Sequence, residues 1–163
     1  MASVPVEIVV RGSAAGFAQE ITIGAQGAGS HRLIADEPAD AGGGNAGPSP
    51  YELLAAALGA CTSMTLGMYA RRKQWPLASV VVRLRHSKIH AVDCANCEQK
   101  QAMLDKMDCD IELIGELSEE QREKLLQIAG RCPVHQTLTH GMQIHTRLAG
   151  EPRPDSAKSI TSG

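Results

Sequence analysis

Val4, Val6, Ile8 and Val10 recur at every second residue, which predicts a first β-strand. Gln19 to Ile23 and His31 to Ala35 predict two further short strands, parted by glycine-rich turns. The stretch Asp40 to Gly47 contains Ala-Gly-Gly-Gly-Asn-Ala-Gly and is expected as a loop. Its glycines match neither GxGxxG nor a Walker sequence, so they do not mark a phosphate cradle. At Ser49 the pattern changes to a helical one. Ser49 is the expected N-cap, Pro50 fits the first helical position, and Glu52 completes a capping box. Leu54, Ala57, Leu58, Cys61, Met64 and Met68 then fall on one face. Ala56, Gly59, Ser63, Gly67 and Ala70 form a second stripe of small residues. A helix that is apolar all round is expected to be central and buried. Arg71, Arg72 and Lys73 complement the dipole at its C-terminal end, and Pro76 stops it.

From Val80 to His90 a long strand is expected, with Val80, Val82 and Leu84 facing one way and Arg83 and Arg85 the other. Cys109, Ile111 and Leu113 alternate with Asp110 and Glu112 in another strand. Ser118, with Gln121 three residues on, caps a second helix whose apolar stripe is Leu125, Ile128, Ala129 and Cys132. Pro133 breaks that helix and starts a further turn, which Gly141 ends. Met142 to Leu148 reads as a last strand. Strands, a buried helix, strands, a helix and a strand make an α+β arrangement.

The 163 residues suit one domain, residues 1–149, with a disordered tail over 150–163. A net charge of -2 argues against nucleic acid or an anionic membrane as the main partner. No apolar run reads as a bilayer span, and the first residues lack the pattern of a secretory signal, so the cytoplasm is the expected location. Aromatic residues are only 2% of the chain, so stacking platforms for bases or sugars are scarce.

Five cysteines are an odd set, which in a reducing compartment reads as catalytic, metal-binding or plain buried residues. Cys61 and Cys132 lie on the apolar faces of two distant segments. A thiol reacts as its thiolate, and burial raises its pKa unless a cation or a helix N-terminus compensates. Cys61 is mid-helix and gains nothing from its own helix terminus. Cys132 precedes Pro133, so a helical turn starting there would offer it free N–H groups. In one reading Cys61 attacks a hydroperoxide and Cys132 condenses with the resulting sulfenic acid to a disulfide. In the other, both are ordinary core cysteines.

The segment Gly47-Pro-Ser-Pro-Tyr-Glu-Leu-Leu-Ala-Ala-Ala-Leu-Gly-Ala-Cys61-Thr and the later Cys132-Pro-Val-His-Gln-Thr-Leu resemble the OsmC/Ohr family of osmotically inducible and organic hydroperoxide resistance proteins. The similarity runs from about His31 to Leu148. It implies an OsmC-like fold, an antiparallel sheet packed with a long central helix and a second helix. It also implies an intertwined homodimer with two sites at the subunit interface. The implied activity is reduction of organic hydroperoxides, with Cys61 peroxidatic, Cys132 resolving, no cofactor, and a dithiol such as dihydrolipoamide as reductant. The Ohr branch carries a Glu where Tyr51 stands; the neighbouring Glu52 is the candidate in its place. That branch also has an Arg in its early glycine-rich turn, which Gly16 to Gln19 lack; Arg11 and Arg32 are the nearest substitutes. The chain therefore looks more like the OsmC-like subgroup than a true Ohr enzyme.

Cys94 and Cys97 form a single CxxC. With His90 and Cys109 they could complete a four-ligand zinc set, though no second paired motif supports it. They could also form a redox pair between a strand and a helix, or simply sit in a turn. A thiol–disulfide or metal-binding protein using Cys94 and Cys97, and a non-catalytic OsmC-like binding protein, stand as alternatives to the peroxidase.

Overall fold

A computed structural model describes residues 6–24, 29–90 and 103–150, with the side chains of 89, 90 and 103 left aside. Strands β1 (Ile8–Gly12), β2 (Gln19–Ile23) and β3 (His31–Ala35) form an antiparallel sheet in that order. Val4 lies outside the described residues. After β3 the glycine-rich loop folds around one carboxylate. Asp36 accepts from the backbone N–H groups of Glu37, Gly44 and Ala46 at 2.9, 3.0 and 3.0 Å. A Cβ on Gly47 would come within 2.0 Å of the Ile34 carbonyl oxygen, so the loop's return past β3 needs glycine there.

The loop delivers Ser49 to the start of helix α1 (Pro50–Lys73), where both arms of the capping box form. Gln74 ends α1 in the left-handed region. Strands β4 (Leu77–His90) and β5 (Met103–Gly115) pair antiparallel along their length and make a second sheet. Helices α2 (Glu119–Ala129) and α3 (Pro133–His140) follow. Ser118 and Gln121 form the second capping box. Arg122 ties α2 to the end of β5 by donating to the Leu113 and Gly115 carbonyls at 2.9 and 3.1 Å.

The core is a layer of α1 and α2 on β4 and β5. Leu66 and Leu125 have no exposed surface, and Ala70, Ile128 and Ala129 complete the cluster. Each such leucine contributes about 1.5–3 kcal/mol of burial. The other face of the β4–β5 sheet is polar. Arg83 pairs with Glu112 at 2.8 Å, and Arg85 with Asp110.

Three expectations are corrected. The buried stripe of α1 is Leu58, Gly59, Thr62, Leu66 and Ala70, and neither anticipated stripe coincides with it; Met64 and Met68 are 67% and 63% exposed. Two strands cover one side of a helix that is apolar on every side, and a single chain leaves the opposite side open. Met142 to Leu148 forms no strand among the described residues, and Met142, Ile144 and Leu148 are exposed. Finally, the 24-residue α1 holds an 18-residue stretch with a mean hydropathy of 1.5, long and apolar enough to cross a membrane by length and composition. Its alanines, glycines and hydroxyls dilute the apolar run, and its buried face packs on β4 as a core helix does.

Candidate active site

The two distant cysteines meet. α3 lies along α1 so that the Cys61 thiol faces Cys132, the N-cap residue of α3. Pro133 builds this arrangement, since its fixed φ suits a first helical position and it has no N–H to leave unpaired. Cys132 is fully buried, whereas Cys61 is half-buried and is the accessible sulfur of the pair.

Their electrostatics diverge. Burial works against a Cys132 thiolate. It is outweighed by the Cys61 thiol, the backbone N–H groups of His135 and Val134 and the Thr62 hydroxyl, so the Cys132 pKa is lowered. The Cys61 pKa is raised, first by its hydrogen bond to Cys132 and then by burial, while the Val134 N–H and the Thr65 side chain act the other way. Of the two thiols, Cys132 is therefore the more readily ionised. Hydrogen bonds, burial and the partner thiol set both groups.

Glu52 serves as the helix cap. Its carboxylate accepts from the Ser49 N–H at 2.7 Å, and this hydrogen bond lowers its pKa. It lies nine residues before Cys61, about 13 Å of helical rise away. Arg11 and Arg32 sit on one face of the β1–β3 sheet, beside a hollow of about 300 Å³. Cys94, Cys97 and the side chain of His90 lie outside the described residues. Cys109 is exposed on β5, its pKa raised by burial, by Asp110 and by Cys132. Among the described residues no cluster of three or more His, Cys, Asp or Glu could hold a metal.

Thr62 is the residue beside the thiol pair that sequence reasoning missed. Its hydroxyl is buried and reaches Cys132. The available signal was a hydroxyl directly after Cys61 on an otherwise apolar helix. His135 contributes its backbone N–H, and its Nδ1 is buried without a hydrogen-bond partner among the described residues.

The family model for OsmC-like proteins matches residues 42–147, which include α1, both strands of the second sheet and the two thiols. The chain belongs to the OsmC-like family. Its fold is similar to an organic hydroperoxide resistance protein OsmC from Legionella pneumophila, at 19% identity over 85% of this chain and 91% of that one, with a TM-score of 0.63. An OsmC-like protein from Mycoplasma pneumoniae is similar at 18% identity over 85% and 89%, with a TM-score of 0.61. The organic hydroperoxide resistance protein OhrB of Bacillus subtilis matches at 19% identity over 82% and 90%, with a TM-score of 0.55. No curated protein matches the sequence. These likenesses carry the α+β OsmC fold expected from the sequence.

Proposed function

We propose that this OsmC-like protein is a thiol peroxidase that reduces organic hydroperoxides, with Cys61 peroxidatic and Cys132 resolving. The observation that carries the reading is the hydrogen-bonded pair, an accessible thiol beside a buried one at a helix N-terminus. As a hydroperoxide approaches, the Cys61 proton passes to Cys132 and Cys61 attacks the distal oxygen. An S–O bond forms, the O–O bond breaks, and the alkoxide takes a proton and leaves as the alcohol. Cys132 then attacks the Cys61 sulfur. The S–S bond forms and hydroxide leaves, to be protonated to water. A dithiol such as dihydrolipoamide restores both thiols by exchange.

The active form is a homodimer in the cytoplasm, where free thiols persist. The open apolar side of α1 and the exposed side chains of Met142, Ile144 and Leu148 support the dimer, since a second copy would cover both.

Mass spectrometry after one equivalent of cumene hydroperoxide tests the reading. A Cys61–Cys132 disulfide is expected. A Cys94–Cys97 disulfide would assign the protein to thiol–disulfide exchange instead, and no modification would leave a binding role.

A further inference from the structure

The peroxidase cycle uses two thiols and leaves a third beside them. Cys109 lies on β5 opposite Leu84 of β4. Alternation along the strand sorts its neighbours. Asp110 and Glu112 turn to the polar face, where they meet Arg85 and Arg83. Cys109 shares the other face with Ile111 and Leu113, which pack against the core cluster of α1 and α2. Helix α1 comes down on this face at Gly59, where a Cβ would lie 2.8 Å from Leu84 Cδ1. Gly59 is two residues before Cys61. The close approach that glycine permits therefore brings the strand pair of Leu84 and Cys109 up to the thiol-bearing turn of α1. Cys132 enters the same corner from the junction of α2 and α3. The Cys109 pKa is raised by partial burial, then by Asp110 and by Cys132, so charge on the Cys132 sulfur is felt at Cys109. The three sulfurs differ in access. Cys132 has no exposed surface, Cys61 is half-buried and Cys109 is exposed. A Cys61–Cys132 disulfide therefore has one sulfur closed to a reductant and the other partly covered.

We infer that Cys109 is a third redox thiol, which takes Cys132 over from Cys61 by disulfide exchange and presents the oxidised pair to the reducing dithiol at the surface. The inference rests on the peroxidase reading for the source of the first disulfide. The Cys109 thiolate attacks the Cys132 sulfur. The Cys109–Cys132 bond forms, the Cys132–Cys61 bond breaks, and Cys61 leaves as a thiolate that takes up the proton Cys109 gave to solvent. The step is redox-neutral, since one disulfide replaces another. The raised Cys109 pKa leaves a smaller thiolate fraction but makes that thiolate the stronger nucleophile. A dithiol then attacks the exposed Cys109 sulfur, and Cys132 leaves as a thiolate. Its lowered pKa makes it a good leaving group. The second thiol of the reductant displaces Cys109 from the mixed disulfide. The dithiol ends as a disulfide, and the protein regains all three thiols. Exchange thus moves the oxidised bond from a half-covered site to one that a reductant larger than the hydroperoxide reaches.

The test follows disulfide pairing over time. The wild-type protein is oxidised with one equivalent of cumene hydroperoxide, quenched with N-ethylmaleimide at intervals and mapped by mass spectrometry. The Cys61–Cys132 disulfide should appear first. A Cys109–Cys132 disulfide should follow within the same chain, with Cys61 becoming labelled as Cys109 ceases to be. Reduction of the oxidised protein by dihydrolipoamide in a single turnover should be about tenfold or more slower in Cys109→Ser, because the surface route is lost. Cys109 labelled at every interval, or a Cys109→Ser protein reduced at the wild-type rate, overturns the relay. A second arm needs no peroxidase activity. In the triple variant Cys61→Ser, Cys94→Ser, Cys97→Ser only Cys109 and Cys132 remain, and diamide should join them within one chain. Two free thiols, or links between chains only, overturn the inference. If the wild-type protein consumes no hydroperoxide, the peroxidase reading fails by itself. Diamide then oxidises the wild-type protein instead, where a Cys109–Cys132 disulfide supports the third redox thiol and a free Cys109 overturns it.

Discussion

Cys61 and Cys132 face each other, and their contact raises the pKa of the more accessible Cys61 while it lowers that of buried Cys132. The arrangement divides labour between the two sulfurs. In the proposed cycle Cys132, whose pKa is lowered, takes the Cys61 proton when a substrate arrives.

A titration of thiolate ultraviolet absorbance should therefore show one thiolate forming below the ordinary cysteine range. Cys132→Ser should remove that step. Cys61→Ala should move it upward, because Cys132 then loses a donor. An unshifted step in Cys61→Ala would mean that the pair does not share a proton.

Turnover should separate the two roles. Cys61→Ser should lose hydroperoxide consumption by a factor of 100 or more, on the order expected when a nucleophile is removed. Cys132→Ser should complete at most one turnover and accumulate sulfinic acid on Cys61, visible by mass spectrometry. Sustained multiple turnover of Cys132→Ser with a dithiol would show that another thiol resolves the sulfenic acid.

Asp36 should tie stability to pH. Its carboxyl is held below the usual carboxylate range, first by the Ala46 N–H, against burial and with help from the Glu37 and Gly44 N–H groups. The folded pKa is below the unfolded one. Its stabilisation is thus present above the ordinary carboxylate pKa and is lost as pH falls through the lowered value. Asp36→Ala should lower Tm by several degrees at neutral pH, and the gap from wild type should close in acid. A gap that stays constant with pH would mean that the charge is not what holds the loop.

Sedimentation at micromolar concentration should find a dimer and no folded monomer. A well-folded species near the 17.3 kDa chain mass would refute this.

Much of the fold was legible because the signals were local. Ser49 with Glu52 and Ser118 with Gln121 announced two helix starts, and Pro133 announced the turn that puts Cys132 at an N-terminus. The meeting of Cys61 and Cys132 was legible through the family motif and not through spacing, since 70 residues of chain lie between them. The buried face of α1 was not legible, because a helix with apolar residues all round has no preferred side until a sheet is laid against it. Met142 to Leu148 has the alternation of a strand, but a strand also needs a neighbouring edge, and alternation cannot say which chain provides it. The Tyr51–His86 stack joins positions 35 residues apart that share no pattern, so only the folded chain reveals it.

The ion pairs along the outer side of β4 and β5 give the molecule a direction. Arg83 with Glu112 and Arg85 with Asp110 are more than half exposed, and such pairs add little stability. What they do add is a refusal. Stripping water from four charged side chains carries a desolvation cost that works against burying that side of the sheet. A further layer, a second copy included, meets less of that cost on the helical side, where the thiols and the open face of α1 lie. A row of weak surface contacts thus orients assembly by exclusion.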